Sequence, residues 1–454
     1  MLGGDEHLLH PYARLPRRRG YSEEYLIKKW VYPIANDEGE HTMTAGATKP
    51  LRIAFVTTFP PGMGSLNEYA YHFVRHLRFK REVKEIILLV DELPEGESYQ
   101  IEPQSGSVPV RVLPCWRFND WTNPLRILSA LRSCRPDVVL YNLQFATFGD
   151  RKIPAAIGLA TPALSRLFGF VTVTLLHNLM DTIDLKSAGF GGNMERVMRF
   201  FGTCLTKLLL TSNLVALTIP KYVELLEDRY LAQNVMLMPH GAFEDMPEPD
   251  YKLAQERPAL MTFGKFGTYK KVEPLLEAYK ILLTQQRPPM DVIIAGTDSP
   301  NAPGYLASIQ QRYADLPGLH FTGYVPEEEV ATLFKRSTIA VFPYSSTTGS
   351  SGVLHQAGEY GTAVVLPHIG DFAEIVAEEG YTGKFFEPES VSDMARAIAD
   401  LLDHPTERVS ISRQNYRAAR GLPMSEVVDW YLMQFQFLCE PEVHTVASPR
   451  LKAS

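Results

Sequence analysis

The stretch from Val341 to Glu374, VFPYSSTTGSSGVLHQAGEYGTAVVLPHIGDFAE, constrains the fold more than any other part of the chain. A β-branched run at residues 339–342 precedes a polar loop, a helical segment and a second strand-like run at residues 363–366. This order is typical of a βαβ unit in a parallel sheet. Ligands bind such sheets at the carboxyl ends of the strands. The loop between the first strand and the helix is therefore a candidate ligand site.

The loop has the composition of an anion-binding turn. Gly349, Ser350, Ser351 and Gly352 lead into the helix, whose first backbone N–H groups have no partner within the helix. Such groups bind phosphate well. Glycine and serine are also ordinary turn and cap residues. The loop alone therefore leaves an anion site and a plain helix start as alternatives.

Strand-like and helical runs alternate along two long segments of the chain. The first segment contains RIAFVTT, EIILLV, DVVLYN, VTVTLLH, LVALTI and VMLM, and the second contains LMTFG, DVIIAG, LHFTG, TIAVF and AVVL. A segment rich in Pro and acidic residues, 241–258, separates them and is typical of an interdomain connection. The alternation predicts an α/β protein with two Rossmann-like domains that face each other across a cleft.

The same pattern predicts the domain boundaries. We place an N-terminal extension and linker at 1–49, because this part is polar and has an arginine cluster. The first Rossmann-like domain is predicted at 50–245 and is completed by 425–440. The second is predicted at 246–424, followed by a tail at 441–454.

Composition excludes several classes of function. The formal net charge is −7, so no basic excess indicates nucleic-acid binding. The four cysteines are widely separated and show neither zinc-site nor CxxC spacing, which favours a reducing compartment. The first twenty residues carry charges where a signal peptide needs an apolar core. We therefore expect a cytoplasmic protein.

Lysines follow the first strand of the second segment. Lys265 comes directly after LMTFG, and Lys270 and Lys271 precede the helical run VEPLLEAYKILL. Cations on a strand-to-helix loop can neutralise a diphosphate and a negatively charged leaving group. Solvated lysines are the alternative. The glycine- and serine-rich loop in the same predicted domain favours the diphosphate.

The order of these motifs resembles the nucleotide-binding domain of GT-B glycosyltransferases, in particular the large retaining family 4 group. That group typically has a strand followed by G-R-L-x-x-x-K-G, where this chain has GKFGTYKK from Gly264 to Lys271. The resemblance implies that Lys265 and Lys270 bind the donor diphosphate. The segment FTGYV resembles the family's F-x-G-x-V, which implies that the backbone at Gly323 and Val325 lies near the nucleobase.

The chain departs from the family at two glutamates that are usually separated by seven residues. Thr348 occupies the first position and Gln356 the second. Gln356 can still form hydrogen bonds with a ribose, whereas Thr348 is smaller and neutral. Glu359, one helical turn beyond Gln356, either compensates or is an ordinary surface glutamate. Glu374 matches the family's G-G-x-x-E-I-V run, which implies a place near the donor sugar.

The first half of the chain resembles the family less strongly. LRIAFVTTFPPGMGSLNEYAYHFVRHL is similar to the family's opening strand, glycine-rich loop and helix, which implies that Gly62 and Gly64 lie at the cleft. His177 ends the run VTVTLLH and matches a family histidine. It is implied to reach the donor sugar or the reacting centre, with a structural histidine as the alternative. His240 and Gly241 match the family's step into the linker.

The resemblance implies a retaining glycosyltransferase that moves a sugar from a nucleotide diphosphate sugar, UDP- or GDP-linked, to an acceptor hydroxyl in glycan, polysaccharide or glycolipid synthesis. His177, Lys265 and Lys270 are the predicted catalytic residues. No separate cofactor is predicted, and no metal, because DTID at 181–184 is only a weak D-x-D candidate. Alternatives are a phosphorylase- or epimerase-like enzyme, and a nucleotide-sugar-binding protein without transferase activity. A dehydrogenase lacks support because the GxGxxG spacing is incomplete.

One amphipathic run leaves a second question open. Residues 197–210, VMRFFGTCLTKLLL, mix aromatic and aliphatic residues with Arg199 and Lys207. Such a helix either meets a membrane that carries a lipid-linked acceptor or packs within the first domain. Arg17, Arg18 and Arg19 give the same weak indication of a membrane. The predicted partners are therefore the nucleotide sugar and a carbohydrate or lipid-linked acceptor, with peripheral membrane contact as an open alternative.

Overall fold

The computed structural model describes residues 49–439 apart from short gaps at 63, 183–192, 245, 252, 254–255, 286, 300, 347–350, 370–372, 374–375 and 377. The predicted N-terminal extension before residue 49 and the predicted tail at 441–454 lie outside these residues. Within the described chain there are two compact units. The first unit comprises residues 49–239 and 424–439, and the second comprises residues 240–423.

The first unit is built on a parallel sheet with the strand order β3-β2-β1-β4-β5-β6-β7. The chain builds outward from β1 on one side and then from β4 on the other, which puts the topological switch point between these two strands. The strands are β1 Leu51–Val56, β2 Val83–Asp91, β3 Val110–Trp116, β4 Val138–Leu143, β5 Thr172–Leu176, β6 Leu214–Leu217 and β7 Val235–Leu237.

Helices connect these parallel strands, except that residues 92–109 join β2 to β3 without a helix. They are α1 Asn67–Leu77, α2 Asn123–Cys134, α3 Lys152–Leu159, α4 Thr161–Leu167, α5 Asn193–Leu209 and α6 Pro220–Tyr230. Helix α1 buries Tyr69, Phe73 and Leu77, whose spacing of four residues lines one helical face. The apolar region at 153–177 forms α3, α4 and β5. Among the helices that the structure describes, none is long and apolar enough to cross a membrane.

The second unit has a parallel sheet with the order β10-β9-β8-β11-β12-β13. Here the switch point lies between β8 and β11, which are direct neighbours. The predicted βαβ unit is β11, a helix and β12, with parallel pairing. The strands are β8 Ala259–Phe266, β9 Asp291–Asp298, β10 Leu319–Gly323, β11 Ile339–Val341, β12 Ala363–Pro367 and β13 Lys384–Phe386.

Both faces of this second sheet are covered. Leu260 belongs to one buried cluster and Met261 to the other, because successive strand residues point to opposite faces. The first cluster includes Leu275 of α7, and the second includes Phe334 of α9. The helices are α7 Glu273–Leu283, α8 Tyr305–Arg312, α9 Glu327–Arg336, α10 Gly352–Glu359, α11 Val391–Asp403 and α12 Pro405–Arg420.

The chain then returns to the first unit through α13, Met424–Cys439. Tyr431 packs against Phe73 of α1 with ring centroids 5.2 Å apart. Asp429 binds Lys80, with 2.6 Å between Oδ1 and Nζ. The helix is therefore part of the core of the first unit although it lies at the other end of the sequence.

Candidate active site

Two loops meet at the switch point of the second sheet. Lys265 lies near the end of β8, and Lys270 lies in the loop that follows it. Lys270 forms an isolated antiparallel bridge with Tyr344, which follows β11. The Ser345 N–H also donates to the Tyr269 carbonyl at 2.9 Å. These backbone contacts fix the loops after β8 and β11 against each other at the carboxyl edge, where parallel sheets bind ligands.

The Lys270 ammonium lies over an aromatic ring. Its Nζ atom is 4.7 Å from the centroid of Tyr344, a buried side chain, and 5.9 Å from that of Tyr269. Gly264 makes room for this arrangement, since a Cβ atom there would lie 2.9 Å from Nζ. Its φ of +140° also suits glycine. The cation is therefore positioned before any ligand binds, while the neighbouring Lys271 is exposed.

The glycine- and serine-rich loop is described from Ser351 onward. Ser351 is the N-cap of α10, and its carbonyl accepts from the N–H groups of Leu354 and His355 at 3.0 and 3.2 Å. Gly352 is the first helical residue, as the sequence predicted. Gly349 and Ser350, with Thr348, lie outside the described residues. The described part of the loop therefore consists of the helix start itself.

Gly323 and Val325 lie at the carboxyl end of the edge strand β10, separated from β8 by β9. Gly323 has a φ of +68° and open space where a side chain would project. Val325 packs against the buried cluster on one face of the sheet. The Thr322 hydroxyl accepts from the Gly296 N–H at 3.2 Å and ties the ends of β9 and β10 together. The sheet thus brings this backbone to the same edge as Lys265.

Glu359 is not the surface glutamate that one sequence interpretation allowed. It is 2% exposed, and its carboxylate accepts from the backbone N–H of Phe243, in the segment that enters the second unit. Gln356 on the same helix is 1% exposed. Its predicted contact with a ribose needs the amide to reach bound ligand, so that role stays a prediction. Glu374 lies outside the described residues.

A buried histidine next to Gln356 was not recognised from the sequence. His355 Nδ1 donates to the Ser351 carbonyl at 2.8 Å, and Nε2 is 2.8 Å from a Glu379 carboxylate oxygen. Burial alone would lower the pKa of His355, but the carboxylates of Glu379 and Glu359 and these hydrogen bonds raise it above its usual value. Its ring stacks on His240 with centroids 4.8 Å apart. The helix start is therefore attached to a buried ion pair.

In the first unit, the glycine-rich loop lies at the switch point between β1 and β4. The Gly62 N–H donates to the Phe59 carbonyl at 2.9 Å. Gly64 passes so close to Thr58 that a Cβ atom would lie 2.3 Å from it. Ser65 is hydrogen-bonded to Gln144, which follows β4. The loops of the two central strands are thus joined, as they are in the second unit.

His177 follows β5 and is held by a chain of hydrogen bonds. The Thr57 hydroxyl donates to the Thr58 carbonyl at 2.9 Å, so it accepts from the Asn142 amide nitrogen at 3.0 Å. The Asn142 amide oxygen then faces His177 Nε2 at 2.6 Å. Because this oxygen can only accept, Nε2 carries the proton and Nδ1 is the basic nitrogen. The Tyr69 ring packs edge-on against the imidazole, with centroids 4.8 Å apart.

His177 should stay neutral throughout the physiological pH range. Burial lowers its pKa to about 3. In histidine-labelled protein, the His177 NMR signals, assigned with His177→Gln, should show the Nε2–H tautomer and no titration between pH 5.5 and 8.5. The unfolded chain takes up this proton below about pH 6.5, so stability should fall as pH drops from there toward 3. A His177 titration centred near pH 6.5 would contradict the assignment.

The weak DTID candidate already has partners for its first carboxylate. Asp181 forms an ion pair with Arg229 and accepts from the Tyr230 hydroxyl at 3.0 Å. Asp184 lies outside the described residues. The Asp181 carboxylate is therefore used to attach the turn after His177 to α6.

The comparison with protein families concerns the second unit. Residues 257–404 match the family model described as "Glycosyl transferases group 1". We refer to this matched stretch as the group 1 domain. The group 1 domain contains the switch point between β8 and β11, the N-terminus of α10 and the end of β10. The predicted enzyme class, a glycosyltransferase, is thereby confirmed, while Gly62, Gly64 and His177 lie outside the matched residues.

Solved structures extend the comparison to both units and confirm the GT-B fold. Sucrose-phosphate synthase from Thermosynechococcus elongatus is 15% identical, with a TM-score of 0.66 over 86% of this chain and 100% of its own. The UDP-forming trehalose-phosphate synthase from Burkholderia xenovorans is 14% identical, with a TM-score of 0.61 over 85% of this chain and 100% of its own. Anabaena HepE in complex with UDP and glucose is 14% identical, with a TM-score of 0.59 over 85% of this chain and 99% of its own. A search of curated proteins finds no significant sequence match.

Proposed function

We propose that the protein transfers a glycosyl group, with retention of configuration, from a UDP- or GDP-linked sugar to a hydroxyl of a carbohydrate or lipid-linked acceptor. The proposal rests on the Lys270 ammonium, which is already held in position at the switch point of the group 1 domain. HepE, which has the same fold, was solved with UDP and glucose.

In this proposal the second unit stabilises the leaving group. Negative charge builds on the diphosphate as the bond to the anomeric carbon breaks, and a preset cation stabilises that charge without reorganising. Lys270 is held over Tyr344 and meets this requirement. Lys265, near the end of β8, and the first N–H groups of α10 add to the same field. The proposal assigns no metal ion to this step.

For His177 in the first unit, the proposal keeps the role that the family resemblance implies, a contact with the donor sugar. With Nε2 protonated and bound to Asn142, Nδ1 is the ring nitrogen that has acceptor character. A neutral imidazole suits an uncharged sugar hydroxyl. The leaving phosphate itself takes the acceptor proton in this proposal, so His177 orients the sugar and no protein nucleophile is assigned.

Donor binding should be visible as a gain in thermal stability. A ligand that binds only the folded state adds about 2.7 kcal/mol at a concentration one hundred times its Kd. UDP- and GDP-linked sugars, tested separately by differential scanning fluorimetry, should therefore include one that raises the melting temperature by several degrees. Lys270→Ala should weaken this response, whereas Lys271→Ala should keep it.

Product analysis then separates transfer from its alternatives. A new glycoside formed with an added acceptor library supports the proposal. Free sugar phosphate or an isomerised nucleotide sugar would indicate a phosphorylase- or epimerase-like enzyme. Donor binding without turnover would favour a binding protein. The sequence feature that motivates this alternative is the replacement of both family glutamates by Thr348 and Gln356. No response to any nucleotide sugar would contradict the proposal.

A further inference from the structure

Helix α5 packs against the first unit through one face only. Thr206 is 1% exposed, and it hydrogen-bonds Tyr230 together with Thr203. Gly202 and Leu209 are buried on the same side. This face agrees with the alternative in which the amphipathic run packs within the first domain.

The opposite face of α5 is apolar and exposed. At about 100° per residue, four neighbouring side chains project away from Thr206: Val197, Phe200, Phe201 and Cys204, all exposed. Phe200 and Phe201 are 66% and 57% exposed, with ring centroids 5.9 Å apart. Exposing two adjacent phenylalanine side chains to water to this extent is unfavourable in free energy. They indicate a surface that meets another phase or molecule.

Basic residues flank these aromatic rings. Arg196 and Lys207 are exposed and lie about 100° around the helix from Thr206, beside the aromatic face, whereas the exposed Arg199 lies on the side of Thr206. The sequence of α5 contains one acidic residue, Glu195. This local positive charge contrasts with a formal net charge of −7 for the whole chain. Phenylalanines with an arginine and a lysine beside them on one helix match the charge and the shallow apolar layer of an anionic bilayer surface.

The neighbouring helix α4 contacts α5, and its C-terminal end also combines exposed apolar side chains with an arginine. Leu167 and Phe168 are 78% and 51% exposed, and the Arg132 guanidinium lies 4.6 Å from the centroid of the Phe168 ring. The combination of exposed apolar side chain and arginine thus recurs on adjacent elements of the same unit. Small-ligand sites are concave and enclose the ligand, whereas these side chains are exposed on helices, which favours a bilayer.

We propose that the outer face of α5, formed by Arg196, Val197, Phe200, Phe201, Cys204 and Lys207, binds an anionic phospholipid bilayer. The phenylalanines insert below the headgroups and the basic residues pair with the lipid phosphates. Helix α5 contacts the turn at Met180–Thr182, directly after His177. If the proposed transferase function holds, this face would present the carboxyl edge of the first sheet to acceptors that reside in the membrane.

Co-sedimentation of the full chain with vesicles tests the proposal. Vesicles of phosphatidylcholine with 30% phosphatidylglycerol should sediment the wild-type protein, and pure phosphatidylcholine should sediment much less. Phe200→Ser/Phe201→Ser should reduce the bound fraction by about fivefold or more, and Arg196→Gln/Lys207→Gln should make binding collapse at moderate salt. Phe79→Ser and Lys84→Gln, exposed in the same unit away from α5, are the matched controls.

Cys204 offers a direct probe of insertion because it is exposed on this face, whereas Cys134 is buried and Cys115 and Cys439 are half-buried. An environment-sensitive fluorophore on Cys204 should shift to the blue with anionic vesicles, and Cys204→Ser supplies the background from the other thiols. Wild-type protein that ignores anionic vesicles, or a double phenylalanine variant that binds them normally, would overturn the proposal. So would light scattering that shows a dimer dissociated by the same double substitution.

The test is independent of the proposed transferase activity. The double phenylalanine variant should keep the thermal response to the nucleotide sugar, because neither phenylalanine belongs to the group 1 domain. Loss of vesicle binding with an intact donor response supports the membrane surface specifically. A missing donor response in wild-type protein that still binds vesicles would count against the transferase proposal alone.

Discussion

Replacing Lys270 with alanine should lower kcat/KM for the nucleotide-sugar donor by about 10²- to 10³-fold, the effect expected when one preset donor to a developing charge is removed. The ammonium is held by the Tyr344 ring at 4.7 Å and by the backbone bridge between the same residues. It therefore needs no rearrangement when the diphosphate leaves. Steady-state kinetics with the donor identified by thermal shift give the measurement.

Lys271 provides a matched control because it differs from Lys270 by one position and carries the same charge. Its side chain is exposed. Lys271→Ala should therefore change kcat/KM by no more than about threefold, as expected for a screened surface charge. Melting temperatures of both variants show whether the loop is still folded, since Lys270→Ala also removes a cation–π contact. Equal losses for the two variants would mean that general positive charge, rather than the position of Lys270, matters.

The strands of both sheets were largely predictable because their burial appears directly in the sequence. Every residue of β4 is buried, and its run VVLYNL reads as a continuous strand. The two strands that the sequence did not reveal, β3 and β13, both lie at sheet edges. Strand β3 is largely half-exposed and contains Pro114, which has no N–H to donate. An exposed edge strand gives a weaker apolar signal than a buried strand, although the edge strands β7 and β10 were predicted.

The residues of the candidate site also divide into those that the sequence predicted and those that it did not. Lys265 and Gly323 lie at the carboxyl ends of strands, and Lys270 and Gly352 lie after strands, so the parallel sheet alone brings them to one edge. The side chains that hold these residues in place could not be predicted from their positions relative to strands. Tyr344 and Asn142 matter through contacts with residues distant in sequence.

Glu359 and His355 illustrate a further limit of sequence reasoning. Helical spacing correctly groups Gln356 and Glu359, but it does not reveal which face of α10 is buried. Both sides of this helix are enclosed, since all residues from Val353 to Glu359 are buried. A polar residue in such a helix signals a buried partner. Only the fold identifies the partner as Phe243 N–H for Glu359 and as Glu379 for His355.

The His355–Glu379 pair should be the most stability-sensitive polar contact near the candidate site. Both imidazole nitrogens face acceptors, Ser351 carbonyl and Glu379 carboxylate, each at 2.8 Å. Glu379→Gln removes the charge that balances a buried imidazolium, and breaking such a pair costs about 3–5 kcal/mol. The melting temperature of the second unit should fall accordingly. Glu329→Gln, an exposed acid on α9, is the control.

The pH dependence of this effect has a definite sign. The folded state raises the pKa of His355, so it binds the proton more tightly than the unfolded chain does. The stabilisation is complete below the unfolded pKa of about 6.5 and is lost as pH rises through the folded pKa. Thermal melts of wild type should therefore weaken from neutral to alkaline pH, and Glu379→Gln should flatten that decline. In a double-mutant cycle, His355→Gln should cost little once Glu379 is already replaced. Additive costs and an unchanged pH slope would show that the two side chains do not act as a pair.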